Sequence, residues 1–184
     1  MSGRSLGLAR AVGVLLLCPL AVRPATLQQL SLDQMIDLST EIVSGTVGAT
    51  YVAQSGKTIY THYKIQVAER FKGASNAVSD VAIPGGSLQG LRQTYPGVPT
   101  IKRGVEYLFF LWSGSSGPTQ LIGLSQGLLQ IGTDSTGATI AQRAAVTEAM
   151  LNSLGRPVAD QPVTLQLSDL RAKVSGQAGG AQSR

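Results

Sequence analysis

Apolar and polar residues alternate with a period of two through the middle of the chain, and that period predicts strands. From Glu41 onward, Val43, Gly45, Val47, Ala49 and Tyr51 fall on one side, with Ser44, Thr46, Gly48 and Thr50 opposite. Gln54-Ser55-Gly56-Lys57 is a turn signal, and Ile59, Thr61, Tyr63, Ile65 and Val67 bring the chain back as the second arm of a hairpin. Residues 78–83 predict a third strand, stopped by Pro84-Gly85-Gly86. Residues 107–112 are an unbroken apolar run and predict the most buried strand. Further strands are expected at 120–124, 128–131 and 138–142, the last two separated by the turn Asp134-Ser135-Thr136-Gly137.

Elsewhere the period lengthens. Ser31-Leu32-Asp33-Gln34 has the spacing of a capping box, and Leu32, Met35, Ile36 and Ser39 follow at helical intervals, so a short helix is expected to end near Thr40. Residues 144–154 also carry apolar positions at helical spacing and close on Gly155 and Pro157, which predicts a second short helix. A strand edge at 163–167 and one helical turn over 170–174, capped by Ser168, complete the pattern. From Ser175 the chain is rich in Gly, Gln, Ala and Ser, too poor in apolar area to offset its ordering entropy, and a disordered tail over 175–184 is expected. The expected fold is mainly β within the α+β class: one domain over residues 26–174, built as a small antiparallel OB-like β-barrel with short flanking helices. Gly45 and Gly48 inside a strand suit the strong coiling that closes a small barrel.

The succession Leu32-Asp33-Gln34-Met35-Ile36, Gly45-Thr46-Val47, Phe71-Lys72-Gly73, Pro84-Gly85-Gly86, Leu108-Phe109-Phe110-Leu111 and Gly123-Leu124-Ser125-Gln126-Gly127 resembles a family of exported bacterial proteins of unknown function. The likeness covers roughly residues 30–131. The strand order also resembles the OB-type barrel of netrin-like domains and tissue metalloprotease inhibitors. Those inhibitors are held by disulfides and engage zinc through an amino-terminal cysteine. The resemblance therefore implies a barrel here, without that mechanism.

The amino terminus changes the picture of charge and compartment. Arg4 and Arg10 precede an apolar run over 11–22, interrupted by Pro19 and followed by Pro24. That run is short for a bilayer span and has the layout of a removed export signal, so residues 1–25 are expected to be a signal peptide with the mature chain starting near Thr26. The expected location is secreted or periplasmic, with no membrane span after signal removal. The single cysteine, Cys18, lies in this leader next to Leu17, a poor context for lipid attachment. The chain that remains has no cysteine for a disulfide or thiolate metal site. Of 15 basic residues against 10 acidic, Arg4, Arg10 and Arg23 fall in the leader and no acid does, so the net charge of +5 shrinks to a small excess. No basic tract remains to suggest nucleic acid as a partner. About 160 residues remain, enough for one core that buries about 68–70% of the unfolded surface.

Candidate chemistry is sparse. Gly123-Leu124-Ser125-Gln126-Gly127 satisfies the G-x-S-x-G pattern of a hydrolase nucleophile elbow, which would make Ser125 a nucleophile. An elbow requires strand, tight turn and helix, whereas residues 128–132 read as another strand. The only histidine, His62, also precedes Ser125, the reverse of that fold's order. His62 sits between Tyr60 and Lys64 with no acid at matching spacing, and is read as a strand-surface residue. Asp33 and Asp37 read as partners of the helix dipole. Asp134-Ser135-Thr136-Gly137 approaches the Asp-Thr-Gly pattern of aspartic proteases, but a hairpin turn accounts for each residue. No metal, cofactor or catalytic group is called for.

The connection over residues 84–101 is the expected place of function, because a long connection without regular structure usually binds something or covers an open barrel end. Gly85 and Gly86 allow close backbone approach, Arg92 and Tyr95 supply a charge and a flat amphipathic ring, and Lys72, Lys102 and Arg103 are expected nearby. The leading expectation is a non-enzymatic exported binding module. It would recognise a protein, peptide or glycan in the extracytoplasmic space through Gly85, Gly86, Arg92, Tyr95, Lys102, Arg103 and the neighbouring strand face. The alternatives are a serine hydrolase centred on Ser125 and an envelope protein that assembles through an edge strand.

Overall fold

The computed structural model describes residues 26–74 and 78–181. The leader read in residues 1–25, with Cys18, and the last three residues of the expected tail lie outside them. Strand β1 (Thr26–Gln28) leads to helix α1 (Leu32–Leu38). Ser31 caps that helix as its spacing predicts: its hydroxyl accepts from the Gln34 N–H at 3.2 Å, and the Gln34 side chain accepts from the Ser31 N–H at 2.9 Å. The long hairpin follows as β2 (Glu41–Ser55) and β3 (Thr58–Lys72), then β4 (Val78–Pro84). Two short strands, β5 (Gly86–Leu88) and β6 (Leu91–Gln93), precede β7 (Glu106–Trp112) and β8 (Gln120–Leu121). After a 3₁₀ turn at Leu124–Gly127 come β9 (Leu128–Thr133), β10 (Thr139–Arg143), β11 (Ala149–Leu151), β12 (Pro157–Val158), β13 (Val163–Gln166) and helix α2 (Leu167–Ala181).

The fold is mainly β, with a curled antiparallel half-barrel sheet and two short helices. The main sheet runs β13-β10-β9-β7-β2-β3-β4, with β8 paired to β7. Thr119, just before β8, bridges to Val81 of β4, and its carbonyl accepts from the Ala82 N–H at 2.8 Å, so β8 draws β4 toward β7. The curl begins in the β2–β3 hairpin, whose register shifts between Ile42 and Val43, Ser44 and Gly45, and Val47 and Ala49. Both strand glycines sit at these irregularities. A Cβ on Gly45 would lie 2.2 Å from the Gln66 carbonyl oxygen, so the two strands approach as only glycine permits.

Because the sheet bends, each face has its own core. Val43, Val47, Ile65, Val81, Phe109 and Leu111 pack together on one side. Ile42, Leu108, Phe110 and Leu129 pack on the other, against Met35 and Ile36 of α1 and Leu167 and Leu170 of α2. The apolar run in β7 therefore alternates between two cores and is buried from Tyr107 to Leu111.

Three local expectations are corrected. Residues 144–154 form no helix: Ala149–Leu151 is strand β11, parallel to β1 and antiparallel to β12. The Val146 N–H is taken by the Asp160 carboxylate at 2.8 Å, and Gly155 (φ 71°), instead of ending a helix, donates its N–H to the Asn152 carbonyl in the β11–β12 turn, where the Asn152 side chain accepts from the Leu154 and Arg156 N–H groups. Residues 120–124 contribute only the two-residue β8 before the 3₁₀ turn. Helix α2 is longer than the single turn expected and continues from Ser175 to Ala181. A helix already nucleated by packing gains one hydrogen bond for each further residue it fixes.

Candidate functional site

The connection after β4 is more ordered than its composition suggests. Gly85 (φ 110°) and Gly86 (φ 138°) turn the chain away from β4, and a Cβ on Gly86 would meet the Thr61 hydroxyl at 2.8 Å. The Thr61 hydroxyl donates to the Gly85 carbonyl at 2.9 Å, and the Gly85 N–H donates to Ile59 O at 2.7 Å. Strands β5 and β6 then pair around Gln89 and Gly90, both at positive φ (49° and 80°), the geometry of a two-residue type I′ hairpin. Residues 84–101 are thus not devoid of regular structure. Gln-Gly serves here where Asn-Gly is the more familiar pair.

One side chain fastens this hairpin. The Gln93 amide accepts from the Ile59 N–H at 2.7 Å and donates to the Lys57 carbonyl at 2.9 Å, two positions apart on the incoming strand. It stands in for a strand residue. With the base fixed, the apex faces outward: Leu91 is 66% exposed, Arg92 is exposed with no partner among the described residues, and Tyr95 is 41% exposed. The Tyr95 hydroxyl donates to the Gln93 side chain at 3.3 Å. Gly85, Gly86 and Tyr95, with Thr61, Tyr63 and Ile83, line a cavity of about 200 Å³ beside the hairpin.

The other expected basic residues are placed elsewhere. The Lys72 ammonium donates to the carbonyls of Ile36 and Asp37 at the end of α1, at 2.7 and 3.4 Å, where a cation complements the helix terminus. Arg103 donates to the Thr50 hydroxyl at 3.1 Å, and Lys102 lines a separate pocket with Tyr107 and Arg143. The expected basic group around the loop therefore reduces to Arg92.

Ser125 lies in the 3₁₀ turn between β8 and β9, with no strand–turn–helix around it. Its Oγ is buried and has no hydrogen-bond partner among the described residues. The glycines of G-x-S-x-G have structural duties: Gly123 (φ 59°) makes the left-handed entry, and a Cβ on Gly127 would lie 2.4 Å from the Ile122 carbonyl oxygen. The motif's buried amide, Gln126, accepts from the Leu30 N–H and donates to the Gln28 carbonyl, both at 2.9 Å. The turn is an anchor for the amino-terminal strand.

His62 does have an acid partner, which its local sequence did not reveal. Asp80 of β4 bonds His62 Nδ1 at 2.9 Å and accepts from the Tyr51 hydroxyl at 2.8 Å, while the Tyr51 and His62 rings stack at 4.5 Å. The hydrogen bond to Asp80, followed by desolvation and the Asp80 charge, raises the Tyr51 pKa above its ordinary value. Among the described residues no group of three or more His, Cys, Asp or Glu side chains is placed to hold a metal ion. Asp134 serves the β9–β10 turn, accepting from the Thr136 hydroxyl and from the N–H groups of Thr136 and Ala138. These bonds hold its carboxyl below the ordinary range.

Compared with known proteins, the chain matches no family model, no curated protein and no solved structure.

Proposed function

We propose that the protein is a non-enzymatic exported binding module whose β5–β6 hairpin and Tyr95 engage a protein or peptide outside the cytosol. The observation that carries this reading is an exposed leucine and arginine on a hairpin fastened to β3, with an exposed tyrosine two residues beyond it. Arg and Tyr are enriched among residues that dominate interface energies, and a rigid support lowers the entropy lost on binding. An exposed leucine at the apex favours a partner with an apolar patch or side chain over a glycan. The cavity beneath Tyr95 offers a place for one side chain of that partner. Ser125 has no part in this reading.

The test is capture of a partner from the extracytoplasmic fraction by the wild-type chain and by an Arg92→Ala/Tyr95→Ala variant. Capture is expected to vanish in the variant with no change in melting temperature. Undiminished capture overturns the assignment of the hairpin.

A further inference from the structure

The geometry points to a second site, independent of the hairpin, that binds a small organic monocarboxylate in the pocket between β7, β9, β10 and β13. This pocket has a volume of about 580 Å³, within the range of small-molecule sites, and shares no lining residue with the cavity under Tyr95. Its lining brings together an arginine, a tyrosine and a lysine, each with a donor to offer.

Arg143 supplies the first. Its two terminal nitrogens both engage Asp160, one at 3.2 Å, and the pair is nearly buried, with the side chains 8% and 3% exposed. Asp160 is also bound by the Val146 N–H at 2.8 Å. The pair is therefore electrically closed, yet the Arg143 Nε–H is buried without an acceptor. Tyr107 supplies the second. It is 6% exposed, and its oxygen accepts from the Lys102 N–H at 3.2 Å, which leaves the hydroxyl hydrogen free to donate. The third is the Lys102 ammonium, which has no hydrogen-bond or ionic partner among the described residues and supplies the one uncompensated charge.

A buried donor left without an acceptor, as at Arg143 Nε, costs free energy, and an anionic oxygen pair can accept from it, from the Tyr107 hydroxyl and from the Lys102 ammonium. One uncompensated positive charge matches a monoanion better than a phosphate dianion. Leu128 and Pro162 add an apolar wall for the ligand's carbon portion, and the Gln130 and Gln142 amides stand at the same pocket to meet hydroxyls. Such a carboxylate arrives either on a simple organic acid or on an acidic sugar.

The experiment is an NMR titration of isotopically labelled protein at pH 7 with hexanoate, glucuronate, hexanamide and inorganic phosphate. The expected result is saturable movement of the Lys102, Gln130 and Gln142 amide resonances with hexanoate or glucuronate; the tighter of the two identifies the source of the carboxylate. Hexanamide is expected to bind at least about tenfold more weakly than hexanoate if the acid is simple. Lys102→Gln, an exposed and fold-neutral change, is expected to weaken the preferred carboxylate by about tenfold, and Arg92→Ala to leave it unchanged. Absence of saturable shifts with both carboxylates, phosphate binding as tightly as either, or an unaltered affinity in Lys102→Gln overturns the proposal.

Discussion

Gln93 and Gln126 solve one problem in two settings. Each uses its carbonyl oxygen to accept a backbone N–H and its amide nitrogen to donate to a backbone carbonyl two residues earlier, Ile59 and Lys57 in one case, Leu30 and Gln28 in the other. Each thereby replaces a missing strand neighbour. The settings differ in water. Gln126 is fully buried and fixes an inward-facing turn, while Gln93 lies at a partly open edge and fixes a hairpin whose apex faces solvent. Of two glycine-rich connections that look alike in composition, one is a strut and the other a platform.

The sharpest way to break this comparison is Gln126→Ala, which removes a fully buried amide together with its bonds to the Leu30 N–H and the Gln28 carbonyl. At about 1–3 kcal/mol for each orphaned group, a loss of about 3 kcal/mol in stability is expected from denaturant melts. A loss below about 1 kcal/mol would mean that water replaces the side chain and that the burial contrast is false. Gln126→Glu keeps only the accepting half and is expected to rescue little.

Gln93→Ala should cost less, about 1 kcal/mol, because Lys57 is exposed and its carbonyl can turn to solvent, which leaves the Ile59 N–H as the group that loses its partner. Hydrogen exchange is expected to accelerate over residues 86–93 while the β2–β7 core amides keep their protection. Uniform acceleration would show that the hairpin is not an independently fastened unit.

Ser125→Ala separates the anchor role of the turn from a catalytic one. Removing an unpartnered buried hydroxyl is expected to leave stability within about 0.5 kcal/mol or raise it slightly. Wild type and variant should both resist labelling by a fluorophosphonate. Labelling of wild type alone would make Ser125 an activated nucleophile.

The smallest expected difference concerns pH. Burial pushes the Asp160 carboxyl up, but hydrogen bonds from Arg143 and from the Val146 N–H, the Arg143 charge and the Gln161 N–H outweigh it, so its pKa lies below the ordinary value. Its contribution to stability is fully present above the ordinary carboxylate range, near 4, and is lost as pH falls through the lower folded value. Neither glutamine titrates. The Gln93→Ala and Gln126→Ala curves should therefore lie below wild type yet keep its acid limb, and a changed limb would reveal coupling to the Arg143–Asp160 pair.

A third glutamine shows how much of this was legible. Gln34 also accepts a backbone N–H, and its partner Ser31 is three residues away, so the capping box could be read from the sequence. Gln93 and Gln126 act across 34 to 98 positions, and no local pattern announces such a pairing. The same limit hid Asp80 from His62, 18 residues apart on different strands. Alternation revealed β2 and β3, and an unbroken apolar run revealed β7, because burial on one face or on both is written into the strand's own residues. It failed at residues 144–154, where pairing with Thr26–Gln28 decides the element and only Met150 is fully buried. Of the candidate site, Gly85, Gly86, Arg92 and Tyr95 are at or beside the hairpin, while Lys72 and Arg103 are drawn to other partners and Lys102 lines a separate pocket.

The parallel ladder between β1 and β11 dictates the order in which the chain is completed. Strand β1 precedes the other described strands, but its strand partner lies at residues 149–151 and its fastening to Gln126 also spans most of the chain. Contacts so distant along the chain close slowly, after the β2–β3 hairpin has formed from neighbours. Strand β1 is thus among the last elements to dock, and a refolding experiment should find it in its slowest phase.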